Sequence, residues 1–183
     1  MESLFNSFIM VTVAEIGDKT QLLSLLLIQK FKKPWPIIWG ILFSTLANHY
    51  MAAWLGGYVV DFLPEAYRTW ILAAIFIIFA FWILIPDSDE DLEAKNSHGA
   101  FITTFILFFL AEMGDKTQLA TVALGAQYQS ALMVTMGSTL GMLAANVPAV
   151  FMGQKLLKVL PLKWIRYFTS FLFFVFAVYI IVA

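Results

Sequence analysis

An all-α polytopic membrane protein, built as six transmembrane helices in two inverted three-helix repeats, is the fold class that three observations predict. The chain is too apolar for a soluble domain. It carries one charged phrase twice, as "AEIGDKTQLL" and "AEMGDKTQLA". Its basic residues gather on alternate loops.

Of the 183 residues, 61% are hydrophobic and 13% are charged, against about 25% charged in a soluble domain. The net charge of −1 says little, because charge placement matters more here than charge sum, and nothing suggests a nucleic-acid patch. The chain has no cysteine, which excludes disulfides, thiolate metal sites and cysteine nucleophiles. It also lacks a Ser/His/Asp triad pattern, a phosphate-binding glycine loop and CxxC or HExxH metal motifs, so no enzyme activity and no resident cofactor are expected. Nothing in the sequence specifies an oligomeric state. Met1-Glu2-Ser3 has neither a basic n-region nor a small-residue cleavage site, so the first apolar segment is expected to stay as a span.

A span needs about 20 mostly apolar residues. Segments near 4–28, 37–60, 69–86, 100–126, 131–153 and 166–183 qualify. The polar run between the third and fourth separates a first repeat (1–86), an acidic linker (87–98) and a second repeat (99–183). Asp87–Glu93 reads as a solvated cytoplasmic linker. The stretch "QKLLKVLPLKWIR" reads as an interfacial connection with snorkelling lysines and a Trp anchor.

The two halves align at a constant offset of 97 residues without a gap. Glu15 falls on Glu112, Gly17 on Gly114, Asp18 on Asp115, Gly40 on Gly137, Gly56 on Gly153, and Phe76 and Phe79 on Phe173 and Phe176. Three spans is an odd number, so the second half enters the membrane from the opposite side. The basic residues agree. Lys30, Lys32, Lys33, Lys95, Lys155, Lys158, Lys163 and Arg166 share one side, and only Arg68 lies on the other. The positive-inside rule then puts the first, third and fifth loops in the cytoplasm and both termini outside. Equivalent loop positions swap charge as inversion requires, with Lys30 and Lys32 matching Gln127 and Gln129.

Glu15, Asp18, Glu112 and Asp115 therefore lie near mid-span. A carboxylate there costs about 2.5–3.5 kcal/mol on insertion scales. On an unbroken helix Asp18 sits about 60° from Glu15 and Lys19 about 40° to the other side, placing all three on one face. The pseudo-twofold axis brings both copies together, and four carboxylates with two ammonium groups sum to −2, matching one divalent cation. Carboxylate and amide oxygens suit hard ions such as Ca²⁺ and Mn²⁺. Carboxylates crowded in a low dielectric also take up protons readily, so metal and proton can compete for one site.

Several neighbours have a structural reading beside the functional one. Lys19 and Lys116 either balance charge or gate by changing acid partners. Gln21 and Gln118 serve as ligands or as interhelical hydrogen bonders, and Thr20 and Thr117 are secondary ligands or, as expected, bond to their own helix backbone. Gly17 and Gly114 point away from Glu15 and Glu112, which favours close helix packing over local unwinding. Asn48, His49 and Asn146 lie at similar depth as secondary ligands or as helix–helix hydrogen bonders. A neutral imidazole from His49 would favour Mn²⁺ over Ca²⁺.

The doubled E-x-G-D-K-T phrase, Glu15–Thr20 and Glu112–Thr117, in an inverted three-plus-three chain resembles the Gdt-type family. That family comprises the Golgi Ca²⁺/Mn²⁺ transporters of eukaryotes and the manganese exporters of bacteria. The resemblance covers essentially the whole chain. It implies cation/proton antiport, with Glu15, Asp18, Glu112 and Asp115 as ion-binding residues. The compact chain looks most like the bacterial exporters, which implies a multi-pass protein of the bacterial inner (plasma) membrane whose partners are a divalent cation, protons and the lipid bilayer. A Ca²⁺/H⁺ antiporter of the same architecture and a divalent cation channel are the alternatives.

Overall fold

The computed structural model describes residues 1–85, 99–153 and 161–182. The acidic linker and the whole of "QKLLKVL" (154–160) lie outside the described residues. What is described is all helical: α1 (Glu2–Glu15), α2 (Lys19–Phe31), α3 (Pro34–Val60), α4 (Glu65–Trp82), α5 (Ala100–Glu112), α6 (Lys116–Tyr128), α7 (Ala131–Met152) and α8 (Leu162–Val182). Among these, α4, α7 and α8 are individually long and apolar enough to cross a membrane. α3, with 27 residues, is about 40 Å long at 1.5 Å per residue. Large apolar side chains cover its outer surface, including Trp35, Trp39, Phe43 and Trp54.

The apolar segments near 4–28 and 100–126 differ from the expectation of continuous helices. Each is broken inside the charged phrase, between Glu15 and Lys19 and between Glu112 and Lys116. The cause is Gly17 at φ +82° and Gly114 at φ +77°, a left-handed conformation that only glycine adopts without strain. Local unwinding, rather than close packing alone, is thus the role of these glycines. Gly17 also packs closely, since a methyl group there would collide with Leu162, whereas among the described residues nothing lies within 4 Å of a methyl group at Gly114. The sequence of conformations then repeats. Both α2 and α6 end in a left-handed cap, at Lys32 (φ 51°) and at Gln129 (φ 47°), positions related by the same offset.

The halves interlock. α1 and α2 lie along α7, and α5 and α6 lie along α3. Residue numbers rise together in both pairings: Gly137 meets Leu4 where Gly141 meets Phe8, and Gly40 meets Phe101 where Asn48 meets Phe109. These helices therefore run parallel. A side chain at Gly137 would strike the Leu4 carbonyl, and one at Gly40 would strike Thr104. Small residues at such crossings let backbones approach, the usual route to van der Waals association where lipid removes the hydrophobic drive. α4 and α8 instead cross antiparallel through Phe76, Phe79, Phe173 and Phe176. Phe76 meets Phe176 at 4.8 Å and Phe79 meets Phe173 at 6.3 Å between ring centroids. This aromatic cluster belongs to the larger buried core.

Candidate functional site

The two breaks meet inside the bundle. Glu15 and Glu112 are fully buried and Asp115 is nearly so. One oxygen from each of these three carboxylates lies within 4.8 Å of the others. Three acids held that close call for a cation or a proton between them. Glu15 closes α1 and Glu112 closes α5, while Asp18 and Asp115 sit at the N-caps of α2 and α6. The half-helix N-termini thus present partial positive charge beside the carboxylates. The chain ends of α1 and α5 present carbonyls, as in the broken helices that line ion sites.

Helix breakage redraws the side-chain partners. Thr20 Oγ1 donates to Glu15 Oε2, not to its own helix backbone. Thr117 Oγ1 lies 3.1 Å from Glu112 Oε2 and 3.2 Å from Asp115 Oδ2. Gln21 Oε1 accepts the Gly17 N–H at 3.0 Å, and Gln118 Oε1 accepts the Gly114 N–H at 2.7 Å. Each glutamine amide nitrogen then ties its break to the neighbouring helix, Gln21 to the Ala145 carbonyl and Gln118 to Asn48 Oδ1. The glutamines therefore hold the unwound turns in shape.

Asn48 and Asn146 are engaged in helix–helix bonding. Asn48 Nδ2 donates to the Phe109 carbonyl at 2.9 Å, and Asn146 Oδ1 accepts from Ser24 Oγ at 2.8 Å. His49 differs. Its ring is fully buried with Nε2 3.8 Å from Glu112 Oε2, and among the described residues neither nitrogen has a hydrogen-bond partner. Glu15 Oε1 and Glu112 Oε1 share that condition. Buried polar atoms are nearly always satisfied, so this set is poised for a group that accepts oxygen and nitrogen donors.

The lysines break the symmetry. Lys19 does not turn back to Glu15; it crosses to the other half and pairs with Asp115, Nζ to Oδ1 at 3.0 Å. Lys116 points away from that pair, donating to the Ile85 carbonyl at 2.7 Å and lying 6.0 Å from the Trp82 ring centre. Asp18 stands outside the three-acid group. It lines a cavity of about 320 Å³ together with Lys19, Asp115, Lys116, Ile85, Leu162 and Arg166. This vestibule lies where α4 ends and α8 begins, and its polar wall includes the Lys19–Asp115 pair. The fully buried Glu15, Glu112 and His49 are not among its lining residues. Sequence reasoning had no signal for the cross-repeat pair, because residues 19 and 115 become neighbours only through folding.

A family model described as "Divalent cation/proton antiporter GDT1" matches residues 3–91 and 100–183. The chain belongs to the GDT1 family. Its members are transporters rather than enzymes. Across 178 residues the chain is 51% identical to the "Putative manganese exporter" of Vibrio cholerae, covering 97% of this chain and 89% of that protein. It is 28% identical to GDT1-like protein sll0615 of Synechocystis, covering 93% and 92%, respectively. Similarity extends to plants, with 27% identity to GDT1-like protein 3 of Arabidopsis thaliana over 85% of this chain and 62% of that one. No solved structure matches the chain. The GDT1 match spans both glycine breaks, so the three-acid group lies wholly within the family region.

Proposed function

We propose that this GDT1 protein exports Mn²⁺ from the cytoplasm in exchange for protons, with the ion held at the centre of six spans arranged as two inverted three-helix repeats. The observation that carries this reading is the meeting of Glu15, Glu112 and Asp115, acids from both copies of the phrase, in one buried group. Broken pairs α1–α2 and α5–α6 each count as one span. Parallel packing of α1–α2 on α7 and of α5–α6 on α3, with antiparallel α4 and α8, is the set of directions that inversion requires.

Glu15, Glu112 and Asp115 supply oxygens, His49 supplies a nitrogen, and Asp18 receives the ion from the vestibule. Gln21 and Gln118 support the unwound turns, and Thr20 and Thr117 orient the carboxylates. Imidazole in the donor set favours Mn²⁺ over Ca²⁺, as does the name of the Vibrio relative. Protons and metal compete for the same carboxylates, which couples their movement in opposite directions. In this reading the protein lies in the bacterial inner membrane with both termini outside and the vestibule facing the cytoplasm, the entry expected of an exporter; the one-sided distribution of basic loop residues supports that orientation.

The test is uptake into vesicles made from the purified protein. An acidic lumen should drive Mn²⁺ inward, Ca²⁺ should follow more slowly, and dissipating the pH gradient should stop accumulation. Equal uptake with and without the gradient would remove proton exchange from this reading.

A further inference from the structure

The two motif lysines are related by sequence position but not by partner, and this difference carries information about a second state. We infer that Lys19 and Lys116 take turns as a tethered cation on the acids of the opposite half, one in each orientation of the transporter. This rests on the inverted-repeat reading above. If the halves share one fold, the state open to the other side arises when each half adopts the conformation now held by its partner. Every contact then maps through the offset of 97.

Lys19–Asp115 maps onto Lys116–Asp18. The Lys116 bond to the Ile85 carbonyl maps onto a Lys19 bond to the Val182 carbonyl, and its place beside Trp82 maps onto Tyr179. The Phe76–Phe176 and Phe79–Phe173 separations, 4.8 and 6.3 Å, likewise exchange about the α4–α8 crossing. With the vestibule open at the end of α4, Lys19 is the lysine inside and Lys116 the lysine outside. A divalent cation arriving from the vestibule competes with the Lys19 ammonium for Asp115. Displacing it releases the contact that ties α2 to α6 and frees the halves to rock. After the metal leaves on the far side, Lys116 takes the equivalent place on Asp18.

The chain contains no cysteine, so single-cysteine labelling has no background. Ile165→Cys reports the vestibule, which Ile165 lines. Leu72→Cys reports the opposite opening, because Leu72 is 3% exposed and is the repeat counterpart of Thr169, another vestibule residue. Each is treated with a membrane-impermeant maleimide from either side of oriented vesicles in metal-free buffer. Lys19→Gln should raise the Leu72→Cys rate about fivefold and lower the Ile165→Cys rate, as expected for loss of roughly 1 kcal/mol from one state. Lys116→Gln should do the reverse, and Lys19→Arg should label as the parent does. Asp115→Asn removes the same pair from its other end and must shift labelling in the same direction as Lys19→Gln. If both glutamine variants shift the two reporters alike, or neither moves them, the exchange is wrong. Labelling requires no transport, so a parent that fails to carry Mn²⁺ overturns the transport reading and leaves this test standing.

Discussion

Glu112→Gln is the perturbation whose consequences are most sharply set by the structure. Glutamine keeps the size of the side chain and an oxygen that can accept from Thr117, but removes one negative charge from the three-acid group. With ligand oxygens within 4.8 Å, two ionised carboxylates repel by about 3 kcal/mol at an effective dielectric of 20. The metal-free variant should therefore melt no lower than the parent, and higher where both acids are ionised. Metal binding should move in the opposite direction. Removing one charged partner from a buried ionic contact costs about 3 kcal/mol, roughly a hundredfold in Kd. At an Mn²⁺ concentration of about 100 times the parent Kd, ligand binding stabilises the parent by about 2.7 kcal/mol. The same concentration would stabilise the variant by only about 0.4 kcal/mol. The assay is a thermal-melting series in detergent across Mn²⁺ concentrations. A variant that keeps the parent's full Mn²⁺-dependent increase would refute the placement of Glu112 on the ion.

Other substitutions separate structural from ion-binding roles. Gly114→Ala places a side chain at φ +77° where no described residue lies within 4 Å, and should cost about 1–2 kcal/mol of stability. Gly17→Ala adds a collision with Leu162 and should unfold at a lower denaturant concentration than Gly114→Ala; equal midpoints would show that backbone strain alone matters. His49→Asn installs the residue of the equivalent position in the second half. It should lower the Mn²⁺ over Ca²⁺ preference in competition binding about tenfold, a preference change of about 1.4 kcal/mol. Gln118→Leu strands the Gly114 N–H and Asn48 Oδ1. It should cost about 1–3 kcal/mol of stability in melting experiments, and an unchanged midpoint would remove the amide as a brace of the break.

Much of the fold was readable from local composition. Apolar stretches of span length and the doubled phrase are properties of neighbouring residues, and the solvent they require follows from charge density alone. The acids of the candidate site stood out for the same reason, since carboxylates so deep in apolar sequence are costly unless they have a purpose, and the structure brings three of the four together. Helix periodicity, however, misplaced their geometry. The 100° rule assumes an unbroken backbone, and one glycine with positive φ in each phrase breaks it.

By itself, the sequence determined which residues are buried together as a class, and that each half carries the same set. Only the tertiary structure decided who meets whom. Asp115 joined Glu15 and Glu112 while Asp18 went to the vestibule, and Lys19 crossed to Asp115 while Lys116 turned toward Ile85. The physical reason is that the doubled phrase reads the same in both halves of the sequence, whereas the fold around the two copies differs, with the cavity at the end of α4 and the start of α8. Nearly identical phrases then take different partners, and nothing local to either phrase says which partner falls to which.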